Sequence, residues 1–144
     1  MVEVRPPRDA DELQAAMDVR LAVFVEEQDV PLDDELDGRD DDAEHLVALE
    51  DGRVLATLRL LPADAPGTMK LQRLAVSAQA RRRGLASRLI EAAESRSRAA
   101  GYRTMVLDAQ LDALPLYHRH GYAQRGGVFL DAGIEHVRME KALA

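Results

Sequence analysis

Three consecutive arginines, Arg81, Arg82 and Arg83, stand directly before Gly84 and the helix-like stretch "LASRLIEAAESRSRAAG". Cations are disfavoured at a helix N-terminus, where the macrodipole is positive, so the cluster asks for an anion. A strand, then "RRRGLA", then a helix is the layout of an anion cradle. The first helical amides, those of Leu85, Ala86 and Ser87, lack intrahelical acceptors and can hold phosphate oxygens. Gly84 lets a ligand come close to the backbone. With phosphate present, the arginines add attraction instead of mismatch. The plainer alternative is an exposed, charged turn. The loop is not a P-loop, because "GLASRL" lacks the Gly-Lys-Ser/Thr ending, and it is not a G-x-G-x-x-G loop.

The totals limit what else the chain does. Its 144 residues suit one domain, read here as 1–144, and 47% of them are apolar. With no Trp and few Phe, aliphatic residues and alanine must build the core. There is no cysteine, which excludes disulfides, thiolate metal sites and a cysteine nucleophile. No run approaches the ~20 apolar residues of a membrane span. The start, "MVEVRPPRDADEL", is too charged for a signal peptide, so a cytoplasmic protein is expected. A net charge of −7 argues against nucleic acid as a partner. His118 and His120 are two apart and face different sides of a helix, so no metal is expected.

The elements that must position the cradle follow from pattern. "VEVR" is a strand stopped by Pro6 and Pro7. Asp9 with Glu12 reads as a capping box for a helix over about 10–27. Residues 33–44 hold eight carboxylates and one arginine. They read as a solvated loop, or as the rim of a site for a cationic substrate. "HLVALEDGRVLATLRLLP" is a hairpin turning at Asp51-Gly52. "TMKLQRLAV" is a strand whose alternation slips at Arg73-Leu74, as a bulge would make it. The helix after Gly84 ends at Gly101. A strand "YRTMVLDA", a short helix "LDALPLYHRHG" and two final strands around a Gly-rich loop complete the chain. The strand–helix–strand crossover at 68–108 requires a parallel pair. The expected class is therefore mixed α/β: a mostly antiparallel sheet with a central parallel pair and helices on both faces.

"LQRLAVSAQARRRGLASRLIEAAE" resembles the central motif of the GNAT superfamily of N-acetyltransferases, Arg/Gln-x-x-Gly-x-Gly/Ala, with Arg81, Gly84 and Ala86 at its fixed positions. "QLDALPLYHRHGY" is similar to the family's second signature through Ala113, Leu116, Tyr117, Gly121 and Tyr122, with Gln110 where Asn is more usual. The N-terminal "RLAVFVEEQDVPLDDELDGRDDDAEHLVA" resembles the ElaA-like branch. The resemblance implies a GNAT-like three-layer fold and acetyl-CoA as co-substrate. It implies cofactor contacts along Leu74, Val76, Arg81, Arg82, Arg83, Gly84, Leu85, Ala86, Ser87, Gln110 and Tyr117. It also brings the expectation of a homodimer through the C-terminal strands.

Acetyl transfer to an amine sets further demands. The thioester carbonyl needs a donor where negative charge develops, which the family pattern assigns to the amide of Leu74 or a neighbour. The leaving thiolate needs a proton, and Tyr117 matches the family's general acid. The amine must lose a proton, so a base is needed. Many family members carry a Glu on the central strand, but residues 68–76 hold no Asp or Glu. Glu26, Asp37, His45 and His136 are the candidates on the acceptor side. The expected acceptor is a small-molecule or peptide amine, with a cationic one suggested by the acidic loop. The competing reading is a module that binds acyl-CoA without turning it over.

Overall fold

The computed structural model describes residues 1–143. Seven strands form one sheet in the order β1-β2-β3-β4-β5-β7-β6. These are β1 (Val2–Arg5), β2 (Glu44–Glu50), β3 (Arg53–Pro62), β4 (Thr68–Val76), β5 (Thr104–Gln110), β6 (Ala123–Asp131) and β7 (Ile134–Ala142). All neighbours are antiparallel except β4 and β5. The helices are α1 (Ala10–Arg20), α2 (Leu32–Glu35), α3 (Leu85–Ala99) and α4 (Leu114–Arg119). Among the described residues no helix is long and apolar enough to cross a membrane.

Local chemistry explains the boundaries. Asp9 caps α1 by accepting from the Glu12 amide at 2.9 Å. The reciprocal half of the expected capping box is different: Glu12 accepts from the Arg8 amide and is forked by Arg5 at 2.7 and 3.0 Å. From Leu21 to Glu27 the helix continues with π geometry. Asp51 and Gly52 both take positive φ, 53° and 79°, as a tight two-residue turn requires. α3 closes through paired bonds from Tyr102 to Ser97 and from Gly101 to Arg98, with Gly101 at φ 92°.

The sheet separates two apolar layers. On one face Leu85, Leu89, Ile90 and Ala93 of α3 pack on Leu46, Leu58, Leu71 and Leu107. On the other, Ala16, Val19 and Val23 cover Val47, Leu49 and Ala75. The alternation within the strands sends His45, Arg59 and Gln72, which lie opposite one another, to the α1 side.

The acidic segment departs from its reading as a solvated loop. Glu35 is 2% exposed and accepts from Arg20 Nε at 2.6 Å. Arg59, with no exposure, is forked onto Asp37 at 3.0 and 2.5 Å and also reaches Asp40 at 3.0 Å. Arg20 contacts Asp40 at 2.6 Å. The segment packs inward because two arginines buried in apolar elements need carboxylate partners. The outer Asp33, Asp41 and Asp42 remain exposed.

Candidate active site

β4 pairs with β5 only from Thr68–Lys70 against Thr104–Val106. Beyond that the two strands no longer bond to each other. A cleft of about 210 Å³ opens between Leu71–Leu74 and Leu107–Gln110. It lies at the carboxyl ends of a parallel pair joined by a helical crossover, where open α/β sheets bind ligands.

One wall is irregular. Thr57 opposes Ala75 and Arg59 opposes Gln72, so Arg73 and Leu74 together face Leu58. This is the bulge foreseen from the broken alternation. Arg73 takes φ 58°, an uncommon conformation for a side-chain-bearing residue. Its guanidinium holds the α2 segment: Nη2 donates to the Asp34 carbonyl at 3.1 Å, and Nε stands 3.0 Å from Glu35 in ion-pair contact without hydrogen-bond alignment. Burial pushes Glu35's carboxyl up and Arg73's guanidinium down, in each case against their mutual attraction.

From β5 and its sequel come Asp108, Gln110 and Tyr117. Burial alone would raise the Asp108 carboxyl, but bonds from Arg138 and Lys70 outweigh it and the net shift is downward. Gln110 donates to Gln28 at 2.7 Å, across the cleft from the end of the π turn. Tyr117 is 7% exposed and packs edge-on to Tyr122 with centroids 5.9 Å apart. Tyr122 is held by Glu94 at 2.8 Å. The Tyr117 hydroxyl has no hydrogen-bond partner among the described residues, and burial pushes the phenol up, so it keeps its proton throughout the neutral range.

The candidate cradle follows β4. Gly84 takes φ 76° at the N-cap of α3, with no atom within 4 Å of where a Cβ would stand. The amides of Leu85, Ala86 and Ser87 begin the helix directly after it. Arg81 donates to the Val76 carbonyl at 3.2 Å and pairs with Glu27 at 2.7 Å; Arg83 pairs with Glu50 at 2.6 Å. Arg82, at φ 66°, makes no ion pair among the described residues. These exposed pairs are weak and can yield to a phosphate. Val76 thus lies between the cleft and the cradle, while Leu74, Gln110 and Tyr117 line the cleft itself.

The four acceptor-side candidates separate. His136 lines the cleft. Its Nδ1 is 2.7 Å from the Ile134 carbonyl, which only accepts, so Nδ1 donates there and in the neutral ring the lone pair is on Nε2. His45 instead lies in a groove by the start of α1, its Nε2 on the Asp40 carbonyl. Asp37 is occupied by Arg59, and Glu26 is exposed and does not line the cleft. Pattern reading missed Gln72, Arg73 and Arg59, and only the slipped alternation near Arg73 signalled them. It also missed His120, whose Nε2 meets Ser87 Oγ at 2.9 Å and ties α4 to the start of α3.

Sheet order, forked strands and the glycine-led helix define an acyltransferase-type architecture. The chain belongs to the GNAT family: the model for the acetyltransferase (GNAT) domain matches residues 12–143. It is 34% identical to the uncharacterized N-acetyltransferase YjcF of Bacillus subtilis over 135 residues, 93% of this chain and 95% of the relative. An acyl-CoA N-acyltransferase from Pseudomonas aeruginosa has a similar structure, with TM-score 0.83, 34% identity and 99% of both chains covered. Escherichia coli ElaA shares the fold, with TM-score 0.86 at 24% identity over 98% of this chain and 99% of that one.

Proposed function

We propose that this protein transfers an acetyl group from acetyl-CoA directly to a primary amine, with both substrates bound at once. The observation that carries the proposal is the fork between β4 and β5, with a bulged wall on one side and, lining it, a protonated Tyr117 hydroxyl without a partner among the described residues. The start of α3, with Arg81–Arg83, binds the pyrophosphate of the cofactor through backbone amides and charge. Its acyl arm then runs along the fork toward Leu74.

Each step has a residue. His136 Nε2 takes the proton of the acceptor ammonium, directly or through one water. The freed nitrogen attacks the thioester carbonyl, and the Leu74 amide in the bulge donates to the oxygen as charge builds there. As the C–N bond forms and the C–S bond breaks, Tyr117 gives its proton to the sulfur, and the second proton of the attacking nitrogen passes through water to the phenolate, leaving the neutral amide and restoring the acid. The upward shift keeps the phenol protonated at neutral pH, so the proton it gives is present when the sulfur leaves.

The test is steady-state release of free thiol with a panel of primary amines. Tyr117→Phe is expected to lower kcat by about 100-fold, with the dissociation constant for acetyl-CoA within about twofold of native, since removing one uncharged hydroxyl costs little binding. Equal kcat for the two proteins would remove Tyr117 as the acid. Binding of acetyl-CoA by native protein with no thiol release on any amine would favour the sensor reading.

A further inference from the structure

Gln72 stands on β4 directly opposite Arg59 of β3 and lines the cleft. Its Oε1 accepts from Arg59 Nε at 3.2 Å and from Nη2 at 3.0 Å. A guanidinium has donors only, so the oxygen of the Gln72 amide must face it. Arg59 is itself immobilised, because it is wholly buried and its remaining donors are spent on Asp37 and Asp40. The amide therefore has one orientation. Its Nε2, with two N–H donors, has no partner among the described residues.

The position gives those donors a role. Gln72 lines the cleft from β4, and a primary amide is no base at neutral pH. It can only offer hydrogen bonds to an oxygen brought into the cleft. The cleft's own oxygens are poor candidates, since Glu35 is taken by Arg20 and Asp108 by Lys70 and Arg138. Asp34 and Asp131 line the cleft without an ion pair among the described residues; they attract an ammonium and repel a second carboxylate.

We propose that the acceptor amine carries a neutral hydrogen-bond-accepting oxygen, a carbonyl or hydroxyl, close to its amino group, and that Gln72, held by Arg59, is the residue that selects for it. The proposal rests on the acyl-transfer reading above and names its acceptor class. An amine lacking the oxygen leaves two desolvated donors unpaired, which is how a polar site rejects an apolar analogue.

The experiment has two readouts. The first is kcat/KM for alaninamide, 1-amino-2-propanol, isopropylamine and alanine, in the native protein, Gln72→Leu and Gln72→Glu. Glutamate keeps an acceptor for Arg59, so this variant keeps the buried pairing while losing both donors. The preference for an oxygen-bearing neutral amine over isopropylamine is expected to fall about tenfold in both variants. Comparing this ratio between proteins cancels the intrinsic reactivity of each amine. Separate falls for the amide and the alcohol distinguish carbonyl from hydroxyl. An unchanged ratio, or alanine used as well as alaninamide, would overturn the proposal. The second readout needs no turnover: the Gln72 side-chain amide signal in a ¹⁵N spectrum, assigned by its loss in Gln72→Glu. It should move on titration with alaninamide or 1-amino-2-propanol and stay fixed with isopropylamine. No movement with either oxygen-bearing amine overturns the proposal. Movement without thiol release from any amine would keep Gln72's role and sink the acyl-transfer reading instead.

Discussion

Tyr117 and His136 show how neighbours decide what a residue can do. Burial without a carboxylate partner keeps the Tyr117 phenol protonated. A carbonyl on Nδ1 fixes the tautomer of the neutral His136 ring, with its lone pair on Nε2. Tyr117 could be picked out from its motif, because Tyr-x-x-x-Gly-Tyr ties it to a turn and a strand. His136 could be named only as one of four candidates, since nothing local tells a cleft histidine from a buried structural one such as His45. His136→Gln keeps a polar side chain but has no basic nitrogen. We expect kcat/KM to fall by about 100-fold, with acetyl-CoA affinity kept. A variant as active as native would return the role of base to water or another group.

At the scale of elements, the hairpin at Asp51-Gly52, the β4 bulge and the glycine-led α3 were all legible, because each has a turn residue or a period that fixes it. The acidic segment was not. Its composition describes a solvated loop, and only tertiary packing reveals that Arg20 and Arg59 are buried opposite it. Asp37 makes this testable. The bond from Arg59 holds its carboxyl well below the ordinary 3.8, so the folded state binds fewer protons than the unfolded one. Its stabilisation is present above that value and is lost as pH falls below it. Asp37→Asn should cost about 2 kcal/mol at pH 7 in urea unfolding. The gap between native and variant should close as pH drops from 4 to lower values. A gap that is absent at pH 7, or as wide in acid, would show that the ion pair does not stabilise the fold.

On the scale of the whole molecule, the two-faced apolar sheet was readable from strand and helix periods, and the crossover fixed the parallel pair. What could not be read was the early end of the β4–β5 ladder, since strand pattern gives no sign of where two parallel strands stop bonding. That fork joins two distant halves of the chain. The bulge and cradle come from the centre, and Tyr117 and His136 from the last quarter. The most direct measurement is therefore calorimetric binding of acetyl-CoA to native protein and Gly84→Asp, with Gly84→Ala as control. Both variants bear the left-handed backbone strain of about 1–2 kcal/mol, but only aspartate adds a negative charge at the helix start. The prediction is binding by native protein, weaker binding by the alanine variant and none by the aspartate variant. Equal binding by all three would place the cofactor elsewhere, and no binding by native protein would contradict acyl transfer from acetyl-CoA.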